Sequence, residues 1–365
     1  MPALRVALAV LAVLVSACAH AQEDPFNVLH HLASKAPYWP LGVGSVLFGW
    51  RDPLSHTCAQ SLQEQTPPPA TCQPVHIDLV LRHGTRNPSD GDIEEFALLE
   101  SAIALHADDL VPSLSWIAQW HNPIPLSQES DLAPVGRREN YQLGKRYMAA
   151  FPSLFAAQPY VSNLYYLRST QEQRAMLSAE SFAYGVFEGR GTSLGDTAGY
   201  EPVFIRADTE SNDNVLKFYD NCPLYNVLVN DNDTANLETE LYMDAIIGGI
   251  TQRLTQTITS NGSWAVTRED ALAMWAACQM EGNQHGVVDK WCALFTTQEI
   301  LDFEYAEDLD DYWTKVCYSN NVNSHRNFPP PSRRTPTRST TRSSRRCCRT
   351  SWARCSLSPA ASPCS

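Results

Sequence analysis

One short segment of the chain places a histidine between two arginines and ends in a proline: Arg82-His83-Gly84-Thr85-Arg86-Asn87-Pro88. Arginine guanidinium groups hold phosphate oxygens through paired hydrogen bonds and stay charged. Their field lowers the pKa of a nearby imidazole, so that the neutral ring of His83 can attack phosphorus. The segment therefore predicts phosphoryl transfer, with His83 as the nucleophile and Arg82 and Arg86 as phosphate ligands.

A simpler interpretation of the same residues is a histidine at a strand end beside two solvated arginines. Five fixed residues in this order occur by chance in a chain of this length about once in ten thousand. The pattern therefore favours the catalytic interpretation.

Predicted elements on both sides would hold this segment in place. Residues 75–81 form a β-rich run with the apolar density of a buried strand. Open α/β sheets bind ligands at the carboxyl ends of their strands, and residues 82–88 follow directly at that end. Turn residues at 87–91 then lead into a helical pattern in which three residues share one face: Phe96, Leu99 and Ile103.

A second strand and helix follow in the same order. Residues 161–168 have the aromatic content of a strand, and Ser169-Thr170-Gln171-Glu172 has the sequence of a capping box that starts a helix. A third strand is predicted at residues 202–205. One face of the helix is predicted to carry Ala175, Ala179, Phe182 and Val186. Such alternation predicts an α/β sheet covered by helices over about residues 75–206.

Only helical patterns follow, over about residues 236–317. Capping-box sequences at residues 267–270 and 296–299 mark the starts of two helices. One apolar stripe is formed by Ile247, Ile250, Leu254 and Ile258. An all-helical block after α/β units predicts a cap or second domain.

The amino-terminal residues predict export. Arg5 precedes an apolar run at residues 6–15, and Ala19-His20-Ala21 places small residues at the two positions that signal peptidase recognises, so residues 1–21 are predicted to be a signal peptide. The run is too short to span a bilayer. The alternatives are a buried first helix and a lipoprotein cleavage sequence that would lipidate Cys18. We expect the protein in the secretory pathway, in the endoplasmic reticulum lumen or outside the cell.

The cysteine content agrees with export. No CxxC pair or His-rich cluster of the zinc-binding type accompanies the cysteines, and an even number in an exported chain predicts disulfides. The simplest local pairs are Cys58–Cys72 and Cys278–Cys292, and other connectivities stay open. Asn232 and Asn261 lie in glycosylation sequons. The cysteines between signal and tail are Cys58, Cys72, Cys222, Cys278, Cys292 and Cys317.

Charge is distributed unevenly along the chain. The 365 residues hold 27 Lys+Arg against 40 Asp+Glu, a net charge of −13. Residues 324–365 hold nine arginines and no acidic residue, so the other 323 residues carry 18 basic against 40 acidic side chains, or −22. This Arg-, Ser- and Pro-rich tail is predicted to be disordered. Such a tail also suits nucleic acid, but an exported protein rarely meets it, so no nucleic-acid partner is expected.

Residues 82–88 resemble the Arg-His-Gly-x-Arg-x-Pro signature of the histidine acid phosphatases, in the phosphoglycerate-mutase-like superfamily. Residues 168–182 resemble that family's second phosphate-contacting segment, which makes Arg174 a further phosphate ligand by resemblance. The similarity covers roughly residues 37–323 and implies an α/β sheet domain with an all-helical cap. Four stretches resemble the multiple inositol polyphosphate phosphatases within this family: residues 131–144, 216–222, 290–296 and 304–313.

The resemblance implies a phosphomonoesterase for inositol polyphosphates, with 2,3-bisphosphoglycerate as a further substrate. His83 would form a phosphohistidine while Arg82, Arg86 and Arg174 neutralise the phosphoryl oxygens. The expected partner is thus a small-molecule phosphomonoester, and nothing in the chain suggests a metal or organic cofactor. The oligomeric state stays open.

The family's proton donor lies in a late His-Ala-Glu or His-Asp segment, and only His285 and His325 follow Arg174 in this chain. His106 begins a His-Ala-Asp run on the wrong side of Arg174 and is interpreted as a solvated histidine. We expect residues 22–323 to form a domain truncated at its carboxyl end, with weak turnover. Residues 324–365 would then stem from a diverged reading frame. The alternatives are an inactive phosphate-binding relative and a broad acid phosphatase or phytase of the same fold.

Overall fold

The computed structural model describes residues 26–36, 73–155, 160–191, 199, 201–232 and 234–316. The predicted signal peptide, Cys58, Cys72, Cys317 and the basic tail lie outside these residues. Two short strands, β1 (Leu167–Ser169) and β2 (Ile205–Ala207), pair in parallel. None of the described helices is long and apolar enough to cross a membrane.

The described part of the chain contains six longer helices. They are α1 (Asp90–His106), α2 (Pro134–Ala150), α3 (Gln173–Phe187), α4 (Leu237–Ile258), α5 (Arg268–His285) and α6 (Thr297–Asp311). Short helical turns lie at Val28–His30, Ala33–Lys35, Ala107–Asp109, Pro112–Gln119, Leu126–Gln128, Pro152–Phe155, Glu210–Asn212, Phe218–Asn221, Pro223–Tyr225, Asn226–Asn230, Trp291–Leu294 and Tyr312–Val316.

The main hydrophobic core lies among α1, α4, α5 and α6. The predicted face of α1 is confirmed, because Phe96, Leu99 and Ile103 are its buried residues. The predicted stripe of α4 is confirmed in the same way, since its four buried residues are Ile247, Ile250, Leu254 and Ile258. Fully burying an apolar side chain of this size stabilises a fold by about 1.5–3 kcal/mol.

Hydrogen-bonded caps fix the first residues of α5 and α6. Thr267 accepts a bond from the Asp270 backbone N–H while the Asp270 carboxylate accepts the Thr267 N–H, and Thr296 and Glu299 repeat the arrangement. Both predicted capping boxes are therefore confirmed. The box predicted at residues 169–172 is wrong, because α3 begins at Gln173 without a side-chain cap.

The sheet is smaller than predicted. Strand β1 begins only at Leu167, near the end of the strand predicted at residues 161–168. Strand β2 begins at Ile205, the last residue of the predicted third strand, and Leu167 pairs with Ile205. Residues 162–164 form a turn instead of a strand. Tyr165 is buried there and donates its hydroxyl to the Leu154 carbonyl oxygen. The aromatic residues of this segment therefore pack into a small core instead of lengthening the strand.

The buried strand predicted at residues 75–81 is also wrong. These residues form no regular secondary structure, and Val75 and Val80 are 87% and 84% exposed. A strand of the parallel type is buried only when neighbouring strands and covering helices enclose it. In the part of the chain that the structure describes, no strand pairs with this segment.

Helices α2 and α3 pack with their backbones in close contact. A Cβ on Gly144 would lie 2.2 Å from the Phe182 carbonyl oxygen, and one on Gly185 would lie 2.1 Å from that of Tyr141. Of the four residues expected on one face of α3, Val186 is buried, while Ala175, Ala179 and Phe182 are partly exposed.

Residues 26–36 pack against α5 and α6 and belong to the main core. Leu29 and Leu32 are buried, and the Gln279 side-chain amide of α5 donates to the Leu32 carbonyl oxygen at 3.1 Å. The predicted pair Cys278–Cys292 forms a disulfide between α5 and the turn that follows it.

Candidate active site

The loop that follows residues 75–81 holds His83 half-buried. Its Nδ1 lies 2.7 Å from the Gly84 carbonyl oxygen, a contact that places a proton on Nδ1 and leaves the Nε2 lone pair free. Burial lowers the pKa of His83 most, and three arginines lower it further, to about 4. His83 is therefore a neutral imidazole at pH 5 and above, which is the form that can attack phosphorus.

The three predicted arginines lie near His83. Arg82 donates to the Ser34 carbonyl oxygen at 2.9 Å, and Arg86 donates to that of Asn87 at 2.7 Å. Arg174 is the second residue of α3 and pairs with Glu172 at 3.0 Å. All three lie close enough to His83 to lower its pKa. The structure thus brings Arg82, His83 and Arg86 onto one loop, with Arg174 acting on them from α3.

Buried groups on α2 and α3 hold the loop from behind. The Thr85 backbone N–H and hydroxyl donate to the two carboxylate oxygens of Glu139, at 2.8 and 3.1 Å. Gly84 donates its N–H to the Ser178 hydroxyl at 3.0 Å. A Cβ on Gly84 would lie 2.4 Å from the Gly136 carbonyl oxygen, so only glycine fits there. In the sequence, residues 131–144 were identified only by their resemblance to the multiple inositol polyphosphate phosphatases, and that resemblance assigned no role to Glu139.

A cavity of about 300 Å³ opens in front of this loop. Its far wall comes from the last turns of α5 and from residues 34–36, which sequence reasoning left without a role. Glu139 and Asp92 are the carboxylates at its wall, and Lys35 adds a cation to those of Arg82 and Arg86. The lining residues are Ser34, Lys35, Ala36, Arg82, His83, Gly84, Thr85, Arg86, Asn87, Pro88, Asp92, Phe96, Glu139, Ala276, Met280, Asn283 and Gln284.

Asp92 is a carboxylate that also caps α1. It accepts hydrogen bonds from the Ser89 N–H and hydroxyl. Burial opposes its ionisation, but Lys35, the bonds from Ser89 and the charge of Arg86 together hold the pKa of Asp92 below its ordinary value. Asp92 therefore offsets part of the positive charge of the cavity and is poorly suited to donate a proton.

Of the two later histidines, His285 does not line this cavity, and His325 lies outside the described residues. His285 is exposed at the end of α5, beside the cavity-lining Gln284. His106, which we expected to be solvated, is partly buried and stacks on Trp264 with ring centroids 5.5 Å apart. Helix α1 ends at His106 beside the loop that follows α4, and the Trp264 ring of that loop covers the imidazole in place of solvent. Among the described residues, no group of three or more His, Cys, Asp or Glu side chains is placed to hold a metal ion.

None of the described sequon and cysteine candidates is among the residues that line the cavity. Asn261 is exposed, and Asn232 is partly exposed in the turn before α4. Cys222 is buried and disulfide-bonded.

Comparison with known proteins matches residues 75–328 to the family model of the histidine phosphatase superfamily (branch 2). Multiple inositol polyphosphate phosphatase 1 from Gallus gallus is 31% identical over 280 residues, which cover 75% of this chain and 57% of that protein. The protein of the same name from Dictyostelium discoideum is 28% identical over 257 residues, covering 70% of this chain and 40% of that one. The chain therefore spans about half the length of these curated relatives.

A solved structure is similar in fold. The crystal structure of the phytase from D. castellii aligns with a TM-score of 0.60 over 84% of this chain and 64% of that chain, at 18% sequence identity.

Proposed function

Because this chain belongs to the histidine phosphatase superfamily (branch 2), we propose that it cleaves phosphomonoesters through a phosphohistidine formed on His83, with inositol polyphosphates as its substrate class. The family expected from residues 82–88 is confirmed, as is the α/β fold class. The observation that carries the proposal is the neutral His83 ring among three arginines. Relatives named multiple inositol polyphosphate phosphatase 1 support the substrate class.

The proposed reaction begins with a phosphate group held by Arg82, Arg86 and Arg174. The Nε2 lone pair of His83 forms a bond to phosphorus as the bond to the ester oxygen breaks, and the arginines stabilise the charge on the phosphoryl oxygens. The ester oxygen leaves as an alkoxide that takes a proton. Water then attacks the phosphohistidine, releasing phosphate and restoring His83.

Protonation of the leaving oxygen is the weak step of the proposed reaction. The sequence has no His-Ala-Glu or His-Asp segment, and Asp92 in the cavity is held as a carboxylate. Loss of a positioned general acid typically lowers a rate by about 10²–10⁴-fold. We therefore propose that esters with an acidic leaving group, such as p-nitrophenyl phosphate, are cleaved much faster than inositol phosphates.

Rapid-quench trapping of phosphohistidine with ³²P-labelled substrate tests the proposal. We expect label on the full chain and on a His285→Asn control, and no label on His83→Asn. Label retained by His83→Asn would contradict the role of His83. Phosphate binding without any labelled protein would favour the second candidate, an inactive phosphate-binding relative.

Substrate breadth separates the remaining candidate, a broad acid phosphatase or phytase. Acid phosphatases of Schizosaccharomyces pombe are also among the relatives, at 26% identity for pho4. Initial rates with inositol hexakisphosphate, 2,3-bisphosphoglycerate and β-glycerophosphate would decide, and equal kcat/KM for all three would favour the broad enzyme.

We also propose that the protein is exported. The signal-like residues 1–21 and the Cys278–Cys292 disulfide support this location. Recovery of a protein beginning at Gln22 from the secretory fraction would agree, and an intact Met1 in a reducing compartment would not.

A further inference from the structure

The cavity in front of His83 contains a cation that the proposed reaction does not use. Lys35 lies on the lead-in segment and lines the same cavity as Arg82 and Arg86. Its ammonium makes no hydrogen bond to a described residue, and its nearest acid, Asp92, is 3.8 Å away. That distance is too long for a hydrogen bond, so the ammonium keeps its donors for a ligand.

The backbone that carries Lys35 is fixed on both sides. Arg82 of the catalytic loop donates to the Ser34 carbonyl oxygen, and Asn283 of α5 donates to that of Lys35 at 3.1 Å. The Ser34 hydroxyl donates to Glu307 of α6 at 2.8 Å. The position of the lysine stem is therefore set before a ligand arrives, which lowers the entropy lost on binding.

One buried acceptor atom in the same wall has no hydrogen-bond partner among the described residues. Asn283 is 5% exposed, and its Oδ1 accepts no hydrogen bond from any described residue. Leaving such an acceptor buried and unpaired costs about 1–3 kcal/mol in general. Because this oxygen is buried, Asn283 contributes to the wall through the hydrogen bond that its amide donates to the Lys35 carbonyl oxygen. A polyphosphorylated ligand carries the second anion that the Lys35 ammonium would bind.

The size of the cavity leaves room for more than the phosphate that His83 attacks. About 300 Å³ lies at the lower end of the range for pockets that bind small organic molecules. Arg82 and Arg86 share one loop with His83, whereas Lys35 and Asn283 belong to the wall formed by the lead-in segment and α5.

We propose that Lys35 forms a second anion subsite, which binds a phosphate group other than the one attacked and so selects polyphosphorylated substrates over monophosphates. This inference rests on the proposed function and names the residue that sets its substrate class. Lys35 is a specificity-determining residue in this role, because it holds the substrate without touching the phosphorus that reacts.

Equilibrium binding measured by calorimetry tests the subsite. Every variant is the full chain with His83→Asn, so that the ligand is not turned over, and the ligands are inositol hexakisphosphate and inorganic phosphate. Lys35→Met should weaken hexakisphosphate binding about tenfold to a hundredfold, the range of a charge-assisted hydrogen bond. Inorganic phosphate should lose much less affinity, and Lys35→Arg should restore most of the hexakisphosphate affinity.

Arg268→Met is the control for Lys35→Met, because it also replaces one positively charged side chain with methionine. Arg268 begins α5, eight residues before Ala276, the first residue of this helix that lines the cavity, so it lies about 12 Å from the cavity along the helix, more than a Debye length at physiological salt. Its charge is screened at that distance. We expect no more than about a twofold change for this control. Thermal unfolding of each variant checks that all of them are folded.

The outcomes separate the subsite from the proposed function. If both ligands bind but Lys35→Met behaves like Arg268→Met, the subsite is overturned and the proposed function stands. If Lys35→Met weakens both ligands equally, Lys35 belongs to the phosphate site of His83 and the second subsite is again overturned. If neither ligand binds to any variant, the proposed function itself fails.

Discussion

The charge state of His83 decides whether the loop can attack phosphorus, and we expect this residue to titrate at about pH 4. Burial is the largest cause of the low pKa, and the charges of Arg82, Arg174 and Arg86 add to it, while the bond to the Gly84 carbonyl opposes it. With a pKa of about 4, roughly 90% of the rings are neutral at pH 5, against roughly 3% for an ordinary histidine of pKa 6.5. The competent population is thus about 30 times larger at pH 5.

Nuclear magnetic resonance of the ¹³C-histidine-labelled chain would measure this pKa, with a His83→Asn spectrum to identify the signal. Arg86→Met should raise the midpoint because it removes one nearby charge. The midpoint should nevertheless stay below 6.5, since burial and the other arginines remain. Arg268→Met, which removes a remote arginine, should leave it unchanged. A wild-type midpoint near 6.5 would refute the reasoning, as would equal midpoints in the two arginine variants.

The same shift predicts how stability depends on pH. The imidazole of the unfolded chain binds a proton near pH 6.5, whereas the folded one binds it near pH 4. The unfolded state therefore gains protons first as the pH falls. The contribution of His83 is fully present above pH 6.5 and is lost between pH 6.5 and about 4. Urea unfolding should show a smaller loss of stability over this range in His83→Asn than in the wild type.

Three further changes, one of them with a control substitution, test the packing of the fold. Gly144→Ala would place a Cβ 2.2 Å from a backbone oxygen of α3 and should destabilise by about 1–3 kcal/mol or more; Gly248→Ala, with nothing within 4 Å, should be stabilising in urea unfolding. Glu139→Ala removes the acceptor of the part-buried N–H of Thr85, at a cost of about 1–3 kcal/mol. Phosphate affinity measured by calorimetry should fall, and unchanged affinity would contradict the positioning role of Glu139. Cys278→Ala opens a disulfide of sequence separation 14, worth about 3 kcal/mol; a melting temperature equal to that of the wild type would contradict this expectation.

Local interactions explain which parts of the fold followed from the sequence. The capping boxes at Thr267 and Thr296 depend on residues three positions apart, and they formed as predicted. The apolar stripe of α4 depends only on helical spacing, and it is buried as predicted. The box predicted at Ser169 failed because that residue belongs to β1, where pairing with β2 fixes its backbone.

Long-range pairing explains the remaining errors. Residues 75–81 have the composition of a buried strand, but burial requires neighbouring strands, and no described strand pairs with them. His106 was expected to be solvated, yet Trp264 from a distant segment covers its ring. Neither outcome can be derived from the residues themselves, because both depend on which distant segments pack beside them.

The sequence by itself determined the reactive loop. Two arginines, one histidine and a glycine within five positions bring their chemistry together without help from the rest of the fold. The tertiary structure alone decided what surrounds that loop. Lys35 meets Asn283 across 248 positions in sequence, and Glu139 reaches Thr85 across 54. Such contacts exist only after helices and loops have packed, because hydrogen bonding and burial depend on distance in space and not on spacing along the chain.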